Sequence, residues 1–311
     1  MSCKLNCDLE ELIVRIPNKE NKQGKFMKKI KILIAILLIA ISFTGCRLEL
    51  PTDEFVGGKG LLSVVFIDTG NSDSIFIDFP DGRKMLIDAA DVNDKNKIFD
   101  VLREYKTEKI NYAINTHPHS DHIGSYPEIL KTYDFDKFYM PKVEFDNDFL
   151  NETAQVINSK NKLFTRGKAG MVLSNDDVYA EILSPMYDHY GEENDYSIVL
   201  YLKYGEVSFL FTGDAENKIE NDLLNKNKVP EVDVLKVGHH GSKGSSSKNF
   251  LNAAKPRYAV ITTGKNSYGH PDKKVTSMLN AMGIKTYRTD LSGNITFTTD
   301  GKTLNPPETE R

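Results

Sequence analysis

The chain has 311 residues, 40% of them hydrophobic and 27% charged, an ordinary globular composition with ample material for one large or two ordinary domains. Eight of its 40 Lys/Arg and four of its 44 Asp/Glu fall in the first 45 residues, so the remainder carries a net charge of −8. That argues against a broad basic track and a stable complex with long nucleic acid, whose binding is dominated by phosphate neutralisation. No cysteine follows Cys46, which excludes disulfides and thiolate ligands beyond it and leaves nitrogen and oxygen for any metal site.

Ile32 to Ile41 is an unbroken apolar run, preceded by Lys28, Lys29 and Lys31 and followed by Ser42-Phe43-Thr44-Gly45-Cys46. A basic stretch, a short apolar core and small residues form a secretory signal, and the run is shorter than the roughly 20 residues a membrane span needs. Thr44-Gly45-Cys46 resembles the bacterial lipobox, which makes Cys46 the expected lipidation site, with an uncleaved anchor as the alternative. The signal pattern starts at Met27, so residues 1–26 read as an over-extended start. The expected organisation is a leader over 1–46, a polar tether over 47–60, a catalytic body over 61–303 and a tail over 304–311. The expected location is the outer face of a bacterial cell membrane, held by lipid.

In the body, Leu61 to Ile67 and Ser74 to Phe79 read as strands, and Asp81-Gly82 as a tight hairpin into Lys84 to Ile87. Asp94 to Tyr105 has helical spacing. Ile110 to Asn115 is a strand that ends at Thr116-His117-Pro118-His119-Ser120-Asp121-His122. A helix over Tyr126 to Thr132 and a strand over Lys137 to Met140 follow. The stretch from Asp146 to Ser174 reads as helical through Ile157 and then as a polar connection, or alternatively a substrate-side flap. Tyr179 to Leu183, Ser197 to Tyr204 and Val207 to Thr212 are strands, with a hairpin at Gly205-Glu206. A helix from Glu216 to Leu224, a strand over Val232 to Val237 and a strand over Arg257 to Thr263 come next. A helix over Asp272 to Met282 and strands Lys285 to Arg288 and Asn294 to Thr298 close the body.

Unusual polar residues sit at four strand ends: His117 to His122, Asp214, His239-His240 and His270. Six of the seven histidines fall in these loops. Imidazole is the commonest metal-binding side chain, and loops on rigid strand ends are where ligand groups belong. A lone Asp214 would read as a helix cap and a lone His270 beside Pro271 as a turn residue; the ordered set reads as ligands.

His117-Pro118-His119-Ser120-Asp121-His122 matches the HxHxDH signature of the metallo-β-lactamase superfamily. Thr212-Gly213-Asp214, His239-His240-Gly241-Ser242 and Tyr268-Gly269-His270-Pro271 extend the resemblance over roughly residues 61–300. Within the superfamily the chain most resembles the C-terminal hydrolase domain of ComEC-type competence proteins and its stand-alone relatives; Asp68 to Ser74, Asn194 to Val199 and Thr289 to Gly301 also fit. The resemblance implies an α+β four-layer αββα sandwich with two divalent metal ions, Zn²⁺ or Mn²⁺. It implies that His117 and His119, with His239 or His240, hold one ion. Asp121, His122 and His270 would hold the other, with Asp214 bridging both. The usual lone histidine between the first cluster and the bridging aspartate is missing; His189 lies in a solvent-facing loop, and Asn194-Asp195-Tyr196-Ser197 occupies that region.

The implied chemistry is hydrolysis by a metal-bridging hydroxide of lowered pKa, with cations about 3.5–4 Å apart. Asp121, Asp214 and His240 are the expected catalytic residues. Ser242 and Lys243, in a Gly/Ser loop that leads into a helix, are the expected anion cradle for the substrate. The leading expectation is a phosphodiesterase acting on a small or polymeric diester. A hydrolase of another ester, lactone or amide, or a non-catalytic metal-binding lipoprotein, is the alternative.

Overall fold

The computed structural model describes residues 60–143 and 147–307. The leader expected over 1–46 with Cys46, the tether up to residue 59 and the last four residues lie outside the described residues.

The chain enters on β1 (Leu62–Phe66), β2 (Ile75–Asp78) and β3 (Lys84–Ile87), followed by α1 (Lys95–Glu104) and β4 (Lys109–Ile114). A one-turn helix α2 (Ser120–Ile123), α3 (Tyr126–Thr132), β5 (Asp134–Met140), α4 (Asp148–Ser159) and β6 (Phe164–Arg166) complete the first half. The second half runs β7 (Met171–Asn175), β8 (Val178–Ser184), β9 (Val199–Tyr204), β10 (Val207–Phe211), α5 (Asn217–Asn225) and β11 (Val234–Lys236). It continues through α6 (Lys248–Ala254), β12 (Tyr258–Ile261), α7 (Lys273–Ala281), β13 (Lys285–Arg288), α8 (Thr289–Ser292), β14 (Ile295–Thr299) and β15 (Leu304–Asn305).

The strands form two sheets, ordered β15-β14-β1-β2-β3-β4-β5-β6 and β13-β12-β11-β10-β9-β8-β7. Their apolar residues divide by the two-residue period of a strand. Leu62, Val64 and Phe66 of β1 face a central core with Phe209 and Phe211 of β10 and Phe297 of β14. Val65 turns the other way, with Phe76 and Leu86, into a core closed by α1, α3 and α4 through Ile98, Leu102, Ile129 and Ile157. Leu210 and Leu235 turn outward to meet Ile219, Leu251 and Leu279 of α5, α6 and α7. Three cores separate four layers, helix–sheet–sheet–helix, as the resemblance implies. Strands covered on both faces read as continuous apolar runs rather than alternating ones.

Two boundaries differ from expectation. The stretch after α4 is not a plain connection: β6 pairs in parallel with β5, and β7 pairs with β8, so each lies at a sheet edge. Their half-exposed, polar-interrupted sequences carry little strand signal. The expected tail at 304 begins instead with β15, which pairs with β14 through Leu304 and Thr299.

Candidate metal centre

The site grows from strand ends that point the same way. In the first sheet β3, β4 and β5 are parallel, and in the second β10, β11, β12 and β13 are. Their carboxyl ends therefore share one edge, where α/β proteins place ligands. The ends of β4, β10 and β11 release His117, Asp214 and the His239-His240 pair there.

The turn carrying that pair is held under backbone constraint. His239 and His240 have φ of 46° and 50°, left-handed for both, a conformation that costs of order 1–3 kcal/mol per residue. It is over-determined by bonds at each end: His239 N–H to Gly213 O at 3.2 Å, and Ser242 N–H to His239 O at 2.7 Å. His240 Nδ1 donates to Thr262 O at 2.9 Å, which leaves Nε2 aimed into the site.

The geometry gathers two overlapping sets whose ligand atoms lie within 4.8 Å of one another: His117, His122 and Asp214, and Asp121, His122 and His240. His117 Nε2 and His119 Nδ1 face each other at 3.0 Å. Asp214 lies between the sets: Oδ1 is 3.4 Å from His122 Nε2, while Oδ2 is 3.5 Å from His239 Nε2 and 3.8 Å from His240 Nε2. His122 Nε2, Asp214 Oδ1 and His240 Nε2 are buried with no hydrogen-bond partner. Buried polar atoms are normally satisfied, and orphaned atoms that each belong to one of these ligand sets fit a divalent cation. Imidazole nitrogens with carboxylate oxygens suit zinc, and the carboxylates also suit manganese.

Charges reinforce this. Burial pushes the His117 imidazole well below its ordinary value, and His122 beside it adds to the effect, so His117 is neutral and ready to bind. Burial opposes a charge on His122, yet the Asp214, Asp88 and Asp121 carboxylates hold it well above the ordinary imidazole range. His240 is likewise raised against its own burial, chiefly by Asp214 and Asp73. Asp214 would be raised by burial, but His122 and His240 keep its carboxyl well below the usual range. Without metal, the surrounding carboxylates favour the protonated form of both rings.

The site opens into a cavity of about 550 Å³ whose wall includes His119, Asp121, Asn194, Asp214, His239, His240, Tyr268 and His270. A more apolar hollow of about 380 Å³, near Leu183 and Tyr187, holds none of these groups.

Several expected placements change. His240, not His270, stands by Asp121, with Nε2 3.6 Å from Oδ2. The ring of His270 instead lies 5.1 Å from that of His239, on the cavity wall. The expected anion cradle is filled by the chain itself. Ser242 Oγ donates to Glu216 Oε1 at 3.1 Å. The backbone N–H groups of Ser246 and Ser247 donate to the buried carboxylate of Glu220. Ser242 and Lys243 are not on the cavity wall. His189 is exposed and off the site. The place of the missing histidine is taken by the Asn194 turn: Asn194 Nδ2 is 3.3 Å from His239 Nδ1, and the neighbouring Glu193 Oε2 is 2.7 Å from His119 Nε2.

Asp88, Glu216 and Lys236 are among the residues that escaped the sequence. Asp88 Oδ1 accepts the Thr116 N–H, and its Oδ2 faces both the Thr116 hydroxyl and His122 Nδ1. Glu216 holds His239 Nδ1 at 2.8 Å. Lys236 lies buried behind Asp214. A carboxylate at a strand end was the only signal for Asp88.

Residues 67–265 match the family described as Metallo-beta-lactamase superfamily. The chain is 32% identical over 252 residues to ComE operon protein 3 of Bacillus subtilis (strain 168), covering 75% of this chain and 32% of that protein. It is 44% identical over 126 residues to Competence protein ComA of Neisseria gonorrhoeae, covering 39% and 18% respectively. The chain thus spans about a third or less of the length of these relatives. Among solved structures it resembles the metallo-beta-lactamase fold protein YhfI from Bacillus subtilis, with TM-score 0.55 and 10% identity over 77% of this chain and 99% of that one.

Proposed function

The chain belongs to the metallo-beta-lactamase superfamily and is a relative of the ComEC-type competence proteins, and from that premise we propose that it is a metal-dependent phosphodiesterase. The observation that carries the reading is that the orphaned buried atoms of His122, His240 and Asp214 belong to the two ligand sets, of which Asp214 and His240 also line the cavity. Likeness to proteins named for competence favours a diester over a lactam.

His117, His119 and Asp214 would hold one divalent cation; Asp121, His122, His240 and the shared Asp214 would hold the other. Bound there, the cations supply Lewis acidity towards a phosphoryl or carbonyl oxygen and lower the pKa of water. The protein's own groups do the rest. Asp88 fixes the His122 ring through Nδ1, and Thr262 fixes His240 the same way, so each presents Nε2. Glu216 orients His239, a cavity-lining residue whose Nε2 lies 3.5 Å from Asp214 Oδ2. Asp121, about a third exposed, orients the attacking water.

We read Cys46 as the attachment point of a lipid that keeps the enzyme at the outer membrane face, with a small or polymeric diester as substrate. The class is tested by presenting the full chain, with Zn²⁺ or Mn²⁺, with an aryl phosphodiester, an aryl carboxylic ester and a β-lactam. Faster metal-dependent turnover of the diester supports the reading, and preference for either carbonyl substrate overturns it.

A further inference from the structure

Behind the cavity lies a charge pair that the proposed chemistry does not use. Lys236, the last residue of β11, is fully buried. Its Nζ is 2.5 Å from Asp73 Oδ2, donates to Gly213 O at 3.0 Å and lies 4.0 Å from Asp214 Oδ1. Asp73 belongs to the β1–β2 loop of the opposite sheet and is itself buried. Its Oδ1 accepts from Thr262 Oγ1 and lies 3.5 Å from His240 Nδ1, and its Oδ2 lies 3.9 Å from His122 Nδ1. Its backbone N–H donates to Asp121 O at 3.0 Å.

Asp73 also falls within a third potential ligand set, with Asp88 and His122. The Lys236 ammonium already sits on that carboxylate. The pair therefore joins the two sheets at the point where their ligand loops meet, and touches the supports of both. On one side Lys236 holds the carbonyl of Gly213, directly before Asp214. On the other, Thr262 shares its hydroxyl with Asp73 and its carbonyl with His240.

We propose that the Asp73–Lys236 pair is the positioning clamp of the metal centre, setting the distance between Asp214 and His240 and holding Asp73 out of the ligand set. Neither residue lines the cavity, so neither meets substrate. A buried pair of this kind is often replaceable by apolar groups with little loss of stability, whereas removal of one partner strands a charge. Removing both leaves net charge unchanged, so a resulting loss reports placement. Supports of metal ligands typically alter metal affinity by about 10–100-fold.

The inference rests on the site binding metal, and the test separates the two. The full chain, stripped of metal, is titrated with Zn²⁺ against a chromogenic chelator as wild type, as Asp73→Asn/Lys236→Met and as Thr262→Val, which removes only one arm. Circular dichroism and melting temperature are recorded on each. We expect the double variant to be folded with at least tenfold weaker Zn²⁺ affinity, and Thr262→Val to show a smaller loss in the same direction. Wild-type Zn²⁺ affinity in a folded double variant, or in Thr262→Val if the double variant does not fold, overturns the clamp and leaves the metal centre standing. Failure of the wild type itself to bind Zn²⁺ overturns both.

Discussion

Asp88 Oδ2 meets His122 Nδ1 at 2.8 Å, with both side chains buried away from solvent. The same carboxylate accepts the Thr116 N–H at 2.7 Å, so it ties the strand before the histidine cluster to the ring that both ligand sets share. Asp88 adopts φ of 57°, a left-handed conformation that asparagine tolerates well. Asp88→Asn therefore keeps shape and backbone, removes the charge that fixes the ring, and replaces one of the two acceptor oxygens serving Thr116 and His122 with a donor. We expect about 10–100-fold weaker divalent-metal binding with a folded chain, read by chelator competition.

Gly213 sets where Asp214 points. Its φ is +51°, and an added Cβ would lie 2.9 Å from the Thr116 Cβ. Gly213→Ala combines left-handed strain with a clash against Thr116, the neighbour of His117. We expect a loss of about 1–3 kcal/mol in stability, read by denaturant unfolding, together with weakened metal binding.

Metal uptake should release protons. Surrounding carboxylates favour a proton on His122 and His240, and a cation needs both rings neutral. Because the folded pKa of His122 is raised, its proton contributes stability to the metal-free chain that is full below about pH 6.5. That contribution is lost as pH rises through the higher folded value. Metal affinity moves the opposite way, strengthening as pH climbs through the same range. Calorimetric titration in two buffers of different ionisation enthalpy, repeated across pH, reads the protons released.

The Gly/Ser loop is predicted to be structural. Glu220 occupies the Ser246 and Ser247 amides, so Glu220→Gln should cost about 1–3 kcal/mol in stability while KM for a diester stays unchanged. Lys243→Ala should leave both stability and KM near wild type. A rise of tenfold or more in KM for Lys243→Ala would return that lysine to the substrate.

Much of this centre was legible because its residue types are rare. Six of seven histidines at strand ends mark one rim, and apolar runs such as Leu62–Phe66 mark strands covered on both faces. What escaped depends on distance across the fold. Asp73 and Lys236 are 163 positions apart, and neither stands out until the sheets bring them to 2.5 Å. The Ser242 loop has the composition of an anion site, and only folding shows that Glu220 fills it. The resemblance implies His270 beside Asp121, but the left-handed turn at His239-His240 carries His240 to that position instead. Strands β6 and β7 take their structure from sheet neighbours rather than from their own pattern.

The most direct test is metal removal and return on the full chain, with hydrolysis of bis(4-nitrophenyl) phosphate as the readout and His122→Ala beside the wild type. The proposed centre requires turnover to vanish on chelation, to return with Zn²⁺ or Mn²⁺, and to be absent in folded His122→Ala whatever metal is added. Undiminished turnover after chelation, or wild-type turnover in His122→Ala, would contradict it.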